Sequence, residues 1–268
     1  MATTVSPLAA VDPRARIDTD VFIGPFCVVG PDVMIGAGTR LENNVTVTGH
    51  VAIGRHNRLF PGVVIGAEPQ DLSYAGTDTR VVIGDDNVFR ECVTVNRATE
   101  KEDGITSIGD HGYFMACCHI AHDCRVGDHV VIANGTLLGG HVQIHRHATL
   151  SGASAVHHFA TIGAYSFLTG MSRVIHDVPP YMLIDGQPAR PRCVNTVALK
   201  RQNFPPEDIR ALVETHRLLF RAKVGVDPAR EILRMRGLLI PCVNHLLTFM
   251  QTQQEGRHGR GRDRRRAA

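Results

Sequence analysis

Val11, Ile17, Ile23, Val29, Ile35, Leu41, Val47, Ile53, Leu59 and Ile65 are all aliphatic and stand six residues apart, nine consecutive steps without a miss. The register resumes at Ile83, Phe89 and Val95. It then runs from Ile108 through Phe114, Ile120, Val126, Ile132, Leu138, Ile144, Leu150, Val156, Ile162 and Leu168 to Val174. Neither a 3.6-residue helix nor an alternating strand needs a phase-locked period of six. A triangular coil does: each repeat is one short strand and a tight corner, one aliphatic side chain per repeat points to the axis, and three repeats close a turn. Stacked at the ordinary strand spacing of about 4.8 Å, the 25 repeats make about eight coils and a prism roughly 40 Å tall. Glycine commonly follows the aliphatic position, as at Gly24, Gly30, Gly36, Gly54, Gly66, Gly84, Gly109, Gly127 and Gly163. That is expected where a corner backbone needs conformations that a Cβ would hinder. The expected fold is an all-β left-handed parallel β-helix.

Two stretches break the register, about 70–82 and 97–107, and both are rich in Gly, Asp, Glu and Thr. They are expected as loops ejected from a rigid scaffold, where function tends to sit. The repeats end near Val174, and Asp177-Val178-Pro179-Pro180-Tyr181 should close the prism, because two prolines cannot extend a ladder. Further on, Pro206 suits a first helical turn, and Ile209, Leu212, Val213, Leu219 and Phe220 recur at helical spacing. Asp227-Pro228 starts a second helix, and Val243, Leu246, Leu247 and Met250 mark a third. The organisation read from this is a β-helix domain over 1–190, a small α-helical domain over 191–255 that buries its apolar stripe on the prism or on a neighbour, and a basic tail over 256–268.

The net charge of +3, from 29 basic and 26 acidic residues, owes much to the crowding of arginines between Arg257 and Arg266. Without that tail the body is near neutral, which argues against a nucleic-acid binder, and the tail itself reads as a solvated, disordered end. No apolar run is long enough to span a membrane, and the first residues do not form a signal peptide. Seven cysteines without framework spacing fit a reducing compartment, so a cytoplasmic location is expected.

Against this scaffold stand QDLSYAGTDTRVVIGDDN (70–87), RECVTVNRAT (90–99), HIAHDCRVG (119–127), GGHV (139–142), AVHHF (155–159) and DVPPY (177–181). Hexapeptide repeats are shared by many acyltransferases, but HIAHDC together with QDL-YAG and DVPPY is specific. Over roughly residues 5–220 the chain resembles the bacterial UDP-N-acetylglucosamine O-acyltransferases that start lipid A synthesis. The resemblance implies a homotrimer with sites in the clefts between prisms. It also implies transfer of a 3-hydroxyacyl chain from acyl carrier protein to the 3-hydroxyl of the sugar, with no cofactor. His122 falls on the general base, a role that suits an imidazole titrating near neutrality. Asp123 falls on the group that orients it, and Gly140 on the backbone N–H that faces the oxyanion. Gln70, Asp71, Ser73, His119, His141 and His157 match substrate-binding positions. Asn195 and Arg201 match those that hold the nucleotide, and Gly170 and Met171 lie where the acyl chain runs.

Three positions depart from the family pattern. Ser73 stands where a lysine is usual, Val197 where an acidic residue is usual, and Gln202 replaces a second arginine. These changes leave the acceptor sugar open, including an amino-substituted sugar and N-acylation. Cys117, Cys118, His119, His122 and Cys124 resemble a metal-ligand cluster but lack paired CxxC spacing, so no metal is expected. His129, His145 and His147 read as solvated surface histidines. Asp71 could cap a turn and Asn195 a chain reversal. The competing functions are an acetyl-CoA-dependent acetyltransferase, a zinc hydratase on a related prism, and a non-catalytic scaffold.

Overall fold

The protein is described by a computed structural model covering residues 2–263. Three parallel sheets form the faces of a prism that winds in the left-handed sense. The first face runs from Thr4–Val5 through Phe22–Ile23, Arg40–Leu41 and onward to Phe167–Leu168. The second runs from Ala10–Val11 to Arg173–Val174, and the third from Arg16–Ile17 to Thr161–Ile162. Most strands are two residues long, which is what a six-residue side leaves after the corner. Ile23, Leu41, Leu59, Phe89, Phe114, Ile132, Leu150 and Leu168 stack inside the first face and are fully buried. Phe89 and Phe114 lie ring on ring, centroids 4.8 Å apart.

Both insertions leave the prism at the same edge, between the second and third faces. Neighbours within the first face are usually 18 residues apart, but Arg58 pairs with Val88 and Val88 with Tyr113, because the intervening coils carry the loops. The loops are shorter than the broken register suggests. Arg80–Ile83 and Ile105–Ile108 are strands of the third face, aligned Val81↔Thr106, and both of those side chains are buried. The first loop therefore ends at residue 79 and the second at residue 104.

Gly66 takes the expected left-handed conformation (φ 82°), but most of the corner glycines have a different cause. Gly24, Gly36, Gly54 and Gly84 are absent from the left-handed region; what excludes a side chain is the next coil. A Cβ on Gly36 would lie 2.6 Å from the Gly54 carbonyl oxygen and 2.7 Å from its carbon. The left-handed conformation falls three residues after most of the aliphatic positions instead, and mostly on residues other than glycine: Phe26, Asn44, His56, His111, Asp123, His129, His141, His147, Phe159, Tyr165 and Met171. Such a conformation costs about 1–2 kcal/mol per residue and persists because the ladder on both sides over-determines it.

The prolines of DVPPY do not end the ladder. Val178 still bridges Ile162, and Met182–Gly186 pairs in parallel with Phe167–Leu168 before Ala189–Val194 turns back antiparallel to it. That hairpin straddles residue 190, so the prism passes to helix at Asn195 rather than at 190. Helices α1 (Thr196–Arg201), α2 (Pro206–His216, continued by a π-helical turn Arg217–Arg221), α3 (Val226–Met235) and α4 (Pro241–Glu255) follow. Ile209, Leu212, Leu233, Val243, Leu246 and Leu247 form the buried stripe, whereas Val213 stays exposed. The expected disordered tail is ordered through residue 263: Arg260 is 6% exposed and donates to the Ile175 carbonyl. Residues 264–268 of that tail lie outside the described residues. Among the described residues no helix is long and apolar enough to cross a membrane.

Candidate active site

The edge between the second and third faces carries one histidine or glycine above the next. His122 follows the strand His119–Ile120, and Gly140 occupies the same corner position one coil on, because Leu137 pairs with His119. A Cβ at 140 would lie 2.4 Å from His122 Cε1 and 2.6 Å from Nε2, so the imidazole rests against a residue that can only be glycine. His122 Nδ1 is 2.7 Å from Asp123 Oδ2, with the side chains 12% and 0% exposed. Asp123 takes its left-handed conformation (φ 60°) at this corner, which turns its carboxylate back under the ring. Thr99 secures it, donating from its backbone N–H at 3.1 Å and from its hydroxyl at 2.7 Å. Burial pushes the Asp123 carboxyl up, but the hydrogen bonds from His122 and Thr99 outweigh it and hold the group below its ordinary range. A carboxylate fixed in this way accepts from Nδ1–H and leaves Nε2 as the basic nitrogen.

His141 occupies the next corner and is almost fully buried, stacked on Phe159 at 4.4 Å and edge-on to His122 at 5.3 Å. Its Nε2 is 3.7 Å from Asp123 and its Nδ1 is 3.5 Å from Glu102, too long for hydrogen bonds, and Nδ1 has no partner among the described residues. Burial holds its pKa below the usual imidazole value. His119 is one coil from Thr94, whose hydroxyl is 2.7 Å from Nδ1, and burial lowers its pKa as well. His157 Nδ1 donates to the His158 carbonyl at 3.0 Å, and the two rings lie 3.8 Å apart.

The two loops meet over this edge. Asp71 pairs with Lys101 and accepts from the Ser73 hydroxyl at 2.8 Å and its backbone N–H at 2.9 Å. Lys101 first, and Ser73 after it, hold the Asp71 carboxyl well below the usual carboxylate range. Asp71 thus both organises its own turn and faces a cation supplied by the other loop. Lys101 thus brings an ammonium to the turn that holds Ser73. Gln70 is exposed beside it, and Leu72 at the loop tip is wholly exposed.

Asn195 and Arg201 lie on a different edge, between the third and first faces. They share a groove of about 420 Å³ with His129, His147, Tyr165, Phe167, Val197 and Gln202. Asn195 caps α1, accepting from Ala198 N–H at 3.3 Å and donating to the Tyr165 carbonyl at 2.9 Å. His129 and His147 are stacked in one column with His111 and Tyr165, at 4.6–4.9 Å, rather than being independent surface rings. His145 is half-buried, edge-on to Phe249. Gly170 and Met171 lie on the third edge, with Met171 69% exposed. In one chain, then, the sites read from the sequence fall on three separate edges: the His122 group, the Asn195–Arg201 groove and the Gly170–Met171 corner.

Thr99, the last residue of the RECVTVNRAT motif, and Lys101, Glu102 and Arg262, which lie in no motif, belong to the His122 edge. Counting hexapeptides in threes places both loops at the corner that also bears His122, and this was the one available signal for Lys101 and Glu102. The cysteine cluster holds no ligand set: Cys118 and Cys124 are in the core, where burial pushes both thiols up to about 12. Among the described residues, the group close enough to hold a cation is His122, Asp123 and His141, whose ligand atoms lie within 4.8 Å of one another. The Nδ1–H bond to Asp123 already uses two of those atoms.

Residues 177–260 match the family profile described as UDP N-acetylglucosamine O-acyltransferase, domain 2, and residues 14–49 match the bacterial transferase hexapeptide repeat. An acyl-[acyl-carrier-protein]--UDP-N-acetylglucosamine O-acyltransferase of Syntrophobacter fumaroxidans is 45% identical over 253 residues, 94% of this chain and 98% of that protein. One of the same name from Rippkaea orientalis is 48% identical over 81% of this chain and 78% of that protein. The solved UDP-N-acetylglucosamine acyltransferase of Francisella novicida superposes with a TM-score of 0.88 at 36% identity, covering 93% of this chain and 91% of the other. The His122–Asp123 pair resting on Gly140 thus sits in a prism shared, at these identities and over nearly the whole length, with enzymes of one kind, and the chain belongs to the family of UDP-N-acetylglucosamine O-acyltransferases.

Proposed function

We propose that the protein transfers a 3-hydroxyacyl chain from acyl carrier protein to the 3-hydroxyl of UDP-N-acetylglucosamine, the opening step of lipid A synthesis. The observation that carries this reading is the His122–Asp123 pair held against Gly140. His122 Nε2 takes the proton of the attacking sugar hydroxyl as the oxygen adds to the thioester carbonyl, and Asp123 stabilises the imidazolium that forms. The carbonyl oxygen turns negative in the tetrahedral intermediate. Gly140 N–H, which has no hydrogen-bond partner among the described residues, supplies the donor. Collapse expels the carrier thiolate, which regains a proton from His122. No step calls for a metal or a redox group, and we propose that the enzyme works without a cofactor.

The two polar half-sites on separate edges support a trimer in which the His122 edge of one prism faces the Asn195–Arg201 groove of the next. Arg201 would then take the nucleotide phosphates, to which a guanidinium is suited. We place the enzyme in the cytoplasm, where its thioester donor and nucleotide sugar are made. Val197, 59% exposed on the groove, and Gln202 beside it favour a second reading in which the acceptor differs, an amino-substituted sugar included.

The test is an assay of purified protein with hydroxyacyl carrier proteins of several chain lengths and each candidate sugar, with products identified by mass spectrometry. An ester on UDP-N-acetylglucosamine, lost in His122→Ala while the fold is kept, supports the reading. An amide on an amino sugar favours the second, and full activity of His122→Ala removes the mechanism.

A further inference from the structure

The C-terminal segment after α4 lies along the same edge as His122. The His258 carbonyl accepts from His176 Nδ1 at 2.6 Å, and the Gly259 carbonyl accepts from Asp177 N–H at 2.8 Å. Gly261 N–H donates to Asp177 Oδ2 at 2.7 Å, and Thr161 N–H to Oδ1 at 2.7 Å, so both oxygens of this buried carboxylate are used. Arg260, itself buried, donates to the Ile175 carbonyl at 2.8 Å and pairs with Asp263 at 2.5 Å. The anchored segment points Arg262 down the edge. Its guanidinium donates to the His141 carbonyl oxygen and, through Nη2, to Glu102 Oε1 at 2.8 Å. Glu102 is in the second loop, next to the Lys101 that pairs with Asp71. One side chain from the end of the protein therefore ties together a corner of the prism and the loop that braces the candidate sugar contact.

We propose that Arg262 is a positioning residue of the acyl-transfer site: it clamps the second loop to the His141 corner and keeps Glu102 from bonding to His141. This rests on the acyl-transfer reading above. A fork that reaches a carbonyl and a carboxylate together is what a planar guanidinium offers. Without it, Glu102 needs to close only part of the 3.5 Å gap to accept from His141 Nδ1, a buried nitrogen with no partner among the described residues.

The charged and titratable groups facing His141 are Asp123 and His122 from the edge, Glu102 from the loop, Arg262 from the C-terminal segment and His158 from the coil above, with Phe159 stacked on the ring. Burial, His122 and Arg262 favour the neutral ring, while Asp123 and Glu102 favour the cation. Removing Arg262 tilts that balance toward the cation. A protonated His141, 3.7 Å from Asp123 Oδ2, then competes with His122 for the carboxylate that orients the base.

The test uses the full chain and its Arg262→Ala, Arg262→Lys and Arg262→Ala/Glu102→Gln variants. Each is assayed for kcat/KM across the pH range, and hydrogen–deuterium exchange is followed over 97–104. The expected result for Arg262→Ala is about tenfold lower kcat/KM below neutrality, an acid limb displaced upward by roughly half a pH unit to one unit, and faster exchange in the loop. Arg262→Lys should return the limb most of the way by restoring the cation, and the double variant should return it by removing the competing anion. Arg262→Ala with an unmoved acid limb and unchanged loop exchange overturns the proposal, even if its melting temperature falls. If the wild type makes no ester at all, it is the reaction reading that fails, and the exchange comparison still decides whether the clamp exists.

Discussion

Gly140→Ala adds one methyl group and nothing else, and the structure states where it must go. The new Cβ would sit 2.4 Å from His122 Cε1, whereas two carbons in contact need about 3.5 Å or more, so the ring has to move by about 1 Å. The ring cannot retreat onto Asp123, which is wholly buried and held by Thr99, so it has to swing sideways toward solvent, and the 2.7 Å bond from Nδ1 is stretched past hydrogen-bonding range. A misplacement of that size at a reacting group costs about a hundredfold, or roughly 2.7 kcal/mol of transition-state stabilisation. Alanine keeps the backbone N–H, so the loss reports the base rather than the oxyanion donor. The assay is steady-state turnover beside a thermal melt: kcat should fall about 100-fold while the melting temperature moves little, because the ring can swing toward solvent. A variant that keeps kcat within about twofold of wild type would show that His122 need not rest where the structure puts it, and the catalytic role assigned to the pair would go with it.

Asp123→Asn should lower kcat by about 10³-fold or more by removing the charge that supports the imidazolium. Because the Asp123 pKa is held below 3.8 in the folded protein, its ionised form stabilises the fold above about pH 4. That contribution is lost as pH falls through the lowered value, so the melting-temperature gap between wild type and Asn variant should shrink on acidification; a constant gap would contradict the shift. Co-expressing His122→Ala with Arg201→Ala should recover about one quarter of the wild-type sites, the random-mixing fraction in which an intact His122 edge meets an intact Arg201 groove. No recovery would place both residues in a site within one chain. Gly36→Ala, far from the candidate active site, should destabilise the prism by about 1–3 kcal/mol in denaturant melts, since its Cβ meets backbone rather than a movable side chain. A neutral result would mean that the coils can spread apart locally. Turnover should survive exhaustive chelation, and its loss with recovery on adding zinc would favour a metal held by His122, Asp123 and His141.

The period of six determined the prism by itself. An aliphatic side chain every sixth residue has no other arrangement that buries all of them, and the structure stacks Ile23, Leu41 and Leu59 inside one face, as that requires. His122, Asp123 and Gly140 were singled out by the resemblance of their motifs to one family, and the 18-residue coil puts positions 122 and 140 on one edge. What periodicity could not supply was anything decided by contacts across long stretches of chain. The corner glycines are imposed by the coil above, and the left-handed positions fall on Asp123 and His141 instead, which only the backbone reveals. The pairing of Lys101 with Asp71 joins two loops 30 residues apart and has no local signal. The arginine-rich end looked solvated because arginines in a run repel one another and Asp263 is the one acidic residue among them. Its partners, the Ile175 and His141 carbonyls and Glu102, lie 85, 121 and 160 residues away and come together only when the prism has formed.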